Sequence, residues 1–149
     1  MIKRPKIAIV GAGGNVGAAV AQWAVLKELG DLVLIDLKAT AAEGRALDLT
    51  QCGAWEGFNN TNFVATDKIE AIAGADVVVM TAGVPRKPGQ SREELININA
   101  GIVRDICKNV KTHAPDSVLI VVSNPLDAMV FVAKQMTGFP RERVIGSAG

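Results

Sequence analysis

The chain has 149 residues, enough for one domain with a substantial core and too few for two ordinary ones. Its 16 Lys and Arg are nearly balanced by 15 Asp and Glu, which argues against a nucleic-acid-binding face or a polybasic membrane patch. Hydrophobic residues make up 49%, yet no apolar run approaches the roughly 20 residues that cross a bilayer, so a soluble, cytoplasmic protein without membrane or nucleic-acid partners is expected.

Met1-Ile2-Lys3-Arg4-Pro5-Lys6 precedes only four apolar residues, too few for a secretory signal, and reads as the lead-in to a first strand over 7–10. That strand breaks into Gly11-Ala12-Gly13-Gly14-Asn15-Val16-Gly17. Glycine permits positive φ and lets a pyrophosphate approach without meeting a Cβ, while the N–H groups and positive end of a following helix attract the anion. Gly11, Gly13 and Gly17 carry one residue more than G-x-G-x-x-G, and Gly11, Gly14 and Gly17 give the alternative register G-x-x-G-x-x-G. A helix over 15–29 follows, with Val16, Val20, Trp23 and Leu26 as its apolar stripe and Gly30 as its stop. Residues 32–35 form a second strand closed by Asp36, 19 residues after Gly17, where a dinucleotide-binding βαβ unit carries its ribose-binding carboxylate. A carboxylate there accepts hydrogen bonds from both adenosine ribose hydroxyls and repels a 2′-phosphate, so the expected cofactor is NAD rather than NADP.

Residues 41–51 read as a helix, followed by a Gly- and Asn-rich loop over 53–60 in which Trp55 and Phe58 form a local cap. A third strand covers 62–66, a short helix 69–73, and a continuously apolar fourth strand 76–80, ending at Thr81-Ala82-Gly83. Pro85, Pro88 and Gly89 make 84–92 a loop. It leaves the carboxyl end of strand four, where ligands of a doubly wound sheet bind. Its cations Arg86, Lys87 and Arg92 overhang that cleft as candidates for an anionic substrate, because a guanidinium grips a carboxylate through two parallel hydrogen bonds. Ser91-Arg92-Glu93-Glu94 is a capping box. It opens a long helix with Leu95, Ile98, Ile102, Ile106 and Val110 as its buried stripe and Arg92 and Asn99 two turns apart on one edge. His113, the one histidine, ends this helix, where the dipole accounts for it. Residues 118–122 form a fifth strand, and Ser123-Asn124-Pro125 turns into another helix with Pro125 at its first position. Leu126, Met129, Val130, Ala133 and Met136 are its stripe, Gly138 and Pro140 its end, and Val144-Ile145 a sixth strand. Cys52 and Cys107 match no zinc or redox spacing, so two reduced thiols and no metal site are expected. Strands alternating with helices predict an α/β Rossmann fold, a doubly wound parallel six-stranded sheet of order 3-2-1-4-5-6.

Several stretches are more specific than the fold. Thr81-Ala82-Gly83-Val84-Pro85-Arg86-Lys87-Pro88-Gly89-Gln90-Ser91-Arg92, Asn97-x-Asn99-Ala100, Val122-Ser123-Asn124-Pro125-Leu126-Asp127 and Gly138-Phe139-Pro140-x-x-Arg143-Val144-Ile145-Gly146 closely resemble the malate dehydrogenases of the lactate/malate dehydrogenase superfamily. The resemblance covers essentially the whole chain, residues 1–149, and corresponds to the amino-terminal NAD-binding half of that family. It implies that Gly11, Ala12, Gly13, Gly14, Asn15, Val16 and Gly17 hold the pyrophosphate and Asp36 the adenosine ribose. Thr81, Ala82, Gly83, Asn99, Val122, Ser123 and Asn124 line the remaining cofactor side. Arg86 pairs with the substrate's second carboxylate, Arg92 polarises the reacting carbonyl, and Asn124 hydrogen-bonds the substrate, a small dicarboxylate such as malate or oxaloacetate. A guanidinium in a closed, dry site stabilises the alkoxide charge of hydride transfer. The family's catalytic His and second carboxylate-binding Arg belong to a second, catalytic domain expected outside this sequence, and His113 does not match that His. The chain by itself is then expected to bind NAD but turn over little, as a monomer or dimer, with the complete enzyme a homo-oligomer associating through helices such as 41–51. Two alternatives stand beside this reading: a stand-alone nucleotide-binding or redox-sensing module, and a domain of a lactate or other 2-hydroxy acid dehydrogenase, which Arg86 disfavours.

Overall fold

Runs such as Ile7-Ala8-Ile9-Val10 and Val77-Val78-Val79-Met80 lack polar alternation because both faces of these strands are covered, as parallel sheets require. In the computed structural model, which describes residues 4–57 and 61–147, the strands are β1 (Lys6–Val10), β2 (Asp31–Ile35), β3 (Phe63–Thr66), β4 (Val77–Met80), β5 (Val118–Val121) and β6 (Val144–Gly146). They form one parallel sheet in the order β3-β2-β1-β4-β5-β6, a Rossmann topology and the order expected from the sequence. Ile9 sits beside Leu34 on one side and Val79 on the other. Ile7, Ile9, Leu32, Leu34 and Val79 enter a core with helices α1 (Asn15–Leu26) and α2 (Ala39–Glu56). Ala8, Val10, Val33, Ile35, Val78, Met80, Leu119 and Val121 enter a second core with α3 (Arg92–His113) and α4 (Leu126–Thr137). Because β2 and β3 lie on one side of β1 while β4 to β6 lie on the other, the chain leaves β1 and β4 in opposite directions, which opens a crevice at the carboxyl ends of the strands.

All four helices depart in some respect from their sequence readings. The helix α1 buries Gly17, Ala21, Ala24 and Val25, while three of its four expected stripe residues face outward: Val16, Trp23 and Leu26 are 53%, 61% and 42% exposed. Small side chains let the helix approach the sheet closely, so the larger apolar residues are displaced to the far face. It also ends at Leu26, not residue 29; Glu28 takes the left-handed turn (φ 49°), and Gly30 is packed against Pro5. The helix α2 runs on through Glu56 and stops where Gly57 adopts φ +81°, so the expected loop over 53–60 is helical for its first four residues; Gly53 alone does not break it. Phe58 and the side chain of Trp55 lie outside the described residues. In α3 the buried face is Leu95, Asn99, Ala100, Val103, Ile106, Cys107 and Val110, with Ile98 46% exposed. Packing against α4 as well as the sheet rotates and widens that face. Pro125 is the N-cap of α4 rather than its first residue. Residues Ile69–Ile72 and Arg141–Arg143 are 3-10 turns, and no helix among the described residues is long and apolar enough to cross a membrane.

Candidate functional site

The turn after β1 is held shut from beneath. Gly11 and Ala12 N–H donate to the Ile35 carbonyl at 2.8 and 3.0 Å, and Gly14 N–H to the Gly11 carbonyl at 3.2 Å. The Thr81 hydroxyl donates to the Val10 and Gly11 carbonyls at 3.1 and 3.2 Å, tying the carboxyl ends of β1 and β4 together. Gly11 has φ +93°, and a Cβ on it would lie 2.7 Å from Thr81 Oγ1; a Cβ on Gly17 would lie 2.3 Å from the Gly11 carbonyl oxygen. These are the first and last glycines of either register. Between them, a Cβ on Gly13 would collide with the Asp36 carboxylate at 2.9 Å, whereas one on Gly14 would meet only the Gly11 carbonyl oxygen, at a tolerable 3.4 Å. Gly14 is the N-cap of α1 and offers no side-chain cap, so the leading N–H groups of the helix open onto the cleft. This is the arrangement that attracts an anion.

The crevice has two lobes that meet at this turn. One, about 480 Å³, is lined by Gly11, Gly14, Asp36, Thr81, Ala82 and Gly83 together with Leu37, Asp67, Ile69, Ile102, Asp105, Ile106 and Asn109. The other, about 830 Å³, is lined by Gly11, Gly14, Asn15, Val16, Gly17, Thr81, Gly83, Arg86, Asn99, Val122, Ser123 and Asn124, with Val84, Pro85 and Leu95. Gly11, Gly14, Thr81 and Gly83 belong to both. The mouth therefore suits a molecule of two flat halves joined by an anionic bridge.

At the outer end of the first lobe, Asp36 is half-buried and accepts from Gly13 N–H at 3.0 Å and Lys38 N–H at 3.1 Å. These bonds use one oxygen each, and the remaining lone pairs are left for hydroxyl donors. In the second lobe Asn99 is only 2% exposed. Its Oδ1 accepts from Val84 N–H at 2.9 Å, and its Nδ2 donates to the Val84 and Asn124 carbonyls at 3.2 and 2.7 Å. The Ser123 hydroxyl donates to the Ala82 carbonyl at 2.6 Å. Both side chains thus hold the turns after β4 and β5 in register. Arg86 is exposed; its Nε donates to the Gln90 carbonyl at 3.0 Å, and Lys87 N–H donates to Gln90 Oε1 at 3.0 Å, so the loop braces the guanidinium stem and leaves its terminal nitrogens available.

Three expected site residues line neither lobe. Ala12 is wholly buried, Gly13 lies beneath Asp36, and Arg92 stands exposed at the start of α3, next to the reciprocal capping box of Ser91 and Glu94. His113 ends α3, its carbonyl accepting from Gly74 N–H, and is likewise outside both lobes. Sequence reading missed Leu37, Asp67, Ile69, Ile102, Asp105 and Asn109. The strand-end rule that singled out Asp36 would have found Asp67, one residue beyond β3, and the four-residue helical spacing of Ile102 and Ile106, or of Asp105 and Asn109, marks one wall of the lobe.

Comparison with known proteins gives the family and the fold. Residues 5–146 match the family model for the lactate/malate dehydrogenase NAD binding domain. The chain is 53% identical to malate dehydrogenase of Symbiobacterium thermophilum over 99% of its length and 47% of that protein's, and 47% identical to that of Syntrophotalea carbinolica over 98% and 45%. It therefore spans about half the length of the curated relatives it matches. Among solved structures, malate dehydrogenase from Plasmodium falciparum superposes with a TM-score of 0.90 at 42% identity, over 97% of this chain and 46% of that one. Lactate dehydrogenase from Cryptosporidium parvum, complexed with lactic acid and nicotinamide adenine dinucleotide, superposes with a TM-score of 0.90 at 36% identity, over 100% and 46%.

Proposed function

From the premise that the chain belongs to the lactate/malate dehydrogenase NAD-binding domain family, we propose that it is the NAD-binding half of a malate dehydrogenase, with Asp36 at the ribose end of the cleft and Arg86 at the substrate end. The observation that carries this reading is the two-lobed crevice hinged on one glycine turn, with a carboxylate in one lobe and a braced guanidinium in the other. The residues fit NAD, which when bound supplies the hydride acceptor for oxidation of a 2-hydroxy acid. Gly11 and Gly14 leave the turn bare of side chains, and the uncapped start of α1 offers its positive end to the pyrophosphate. Asp36 accepts from ribose hydroxyls and repels a 2′-phosphate. Thr81, Asn99 and Ser123 act through the backbone: they fix the loop walls of the second lobe so that the ring half of the cofactor has one seat.

Arg86 binds the substrate's second carboxylate, which favours malate and oxaloacetate over lactate. Asn124 is exposed in the same lobe, its side chain free to hydrogen-bond the substrate while its carbonyl is held by Asn99. Neither lobe receives an imidazole from this chain. Proton transfer by a positioned side chain is worth about 10²–10⁴-fold, so the 149-residue chain alone binds NADH and turns over malate slowly if at all. Calorimetric titration of the chain with NADH and with NADPH tests the reading: saturable NADH binding with NADPH much weaker supports it, and the absence of NADH binding, or malate oxidation at the rate of a complete enzyme, overturns it.

A further inference from the structure

Three carboxylates line the first lobe, and the protein treats them differently. Asp36 accepts two backbone N–H bonds, and Asp105 is 3.1 Å from the Lys108 ammonium. Asp67 is exposed and has no hydrogen-bond or ion-pair partner among the described residues. Its position is nonetheless fixed by the sheet. Ile35 and Thr66 are register partners in β2 and β3, and Asp36 N–H donates to the Thr66 carbonyl at 3.1 Å, so Asp36 and Asp67 are the next residues of two strands about 4.8 Å apart. Lys38 and Lys68 follow them in the chain. They donate backbone N–H groups to Asp36 and to the Thr66 hydroxyl, and their ammonium groups form no ion pair with either carboxylate among the described residues.

We propose that Asp67 is a second specificity determinant of this cleft, excluding a 2′-phosphorylated dinucleotide by charge alone while making no contact that the unphosphorylated one needs. The inference rests on the NAD reading above. A ribose hydrogen-bonded to Asp36 carries its 2′ position beside β3, and a phosphate there brings nearly two negative charges within a few ångströms of a carboxylate that has no ion-pair partner among the described residues. Asp36 supplies a hydrogen bond and a charge; Asp67 supplies a charge only. The two are therefore separable by mutation. Removing Asp36 costs NADH affinity as well as relaxing discrimination, and removing Asp67 relaxes discrimination without that loss.

The test is calorimetric titration of wild type, Asp67→Asn, Asp67→Ser and Glu142→Gln with NADH and NADPH at about 0.01 M and 0.5 M salt, where the screening lengths are roughly 30 Å and 4 Å. Both Asp67 variants should bind NADH within twofold of wild type and NADPH about fivefold more tightly at low salt, the gain shrinking at high salt. Glu142→Gln removes an acid from the amino-terminal side of β6 and should change neither, which separates a local charge from net charge. An unchanged NADPH to NADH ratio at low salt, a gain that persists undiminished at 0.5 M, or a matching loss of NADH affinity overturns the role of Asp67 while leaving the NAD reading intact. Failure of wild type to bind NADH overturns both.

Discussion

Gly14 and Gly17 stand three positions apart in one turn, and their surroundings set opposite tolerances. A methyl group on Gly17 would enter the Gly11 carbonyl at 2.3 Å, a backbone atom that cannot move without opening the turn. Gly17→Ala should therefore destabilise the domain by about 2–3 kcal/mol, the upper range for overpacking a tight site, and weaken NADH binding with it. On Gly14 the same methyl group meets nothing closer than 3.4 Å, and the backbone is extended at φ −77°. Gly14→Ala should cost under about 1 kcal/mol, the loss of a favourable N-cap residue. Thermal melts of the two variants check this: similar shifts would mean that Gly17 is not the glycine at which helix and turn meet.

Between elements, Asn99 is the joint. One buried amide on α3 holds the loop after β4 through Val84 and the turn after β5 through Asn124, so the second lobe takes its shape from a side chain whose polar atoms are spent on the protein. Asn99→Ala removes three hydrogen bonds, and by the usual value of about 1 kcal/mol each, partly recovered by water at exposed Val84, the cost should be about 2 kcal/mol. For a domain of this size that is a fall in Tm of roughly 4–8 °C. Tryptic cleavage after Arg86 should also accelerate, because the loop that carries it loses its anchor; Lys87 is followed by Pro88 and is no tryptic site. Unchanged melting and unchanged cleavage would show that Ser123 and the loop's own bonds suffice.

On the scale of the whole molecule, the second core encloses Cys107. Burial pushes its thiol from 9.0 up to about 12, because a thiolate among Val78, Val103 and Leu119 has no solvent. In the unfolded chain the same thiol ionises near 9, so between pH 9 and 12 the unfolded state has lost a proton that the folded state keeps. Stability is then fully present below pH 9 and falls as pH rises through that window, by on the order of 1 kcal/mol per unit. Urea melts from pH 8 to 11 should show this slope, and Cys107→Ala, though less stable throughout because of the cavity it leaves, should show a shallower one. Equal slopes would show that Cys107 is not the source of the alkaline lability; tyrosine does not contribute, since the chain has none.

The sequence by itself determined the strands, their order and the ends of the crevice. Continuous apolar runs belong to covered parallel strands, and the glycine turn, Asp36 and the cationic loop lie at carboxyl ends whatever the details of packing. Only the tertiary structure decided which faces of α1 and α3 are buried, because a helix with apolar residues on two sides is oriented by how closely its backbone can approach the sheet, and in α1 glycine and alanine prevail over valine and tryptophan. The roles within the glycine turn were likewise illegible, since both registers contain Gly11 and Gly17, and what separates Gly13 from Gly14 is the Asp36 carboxylate, 23 residues away in sequence. Asp67 lies between the two cases: the strand-end rule marks it as it marks Asp36, and only the register of β2 with β3, in which Ile35 pairs with Thr66, sets the two acids at the same level.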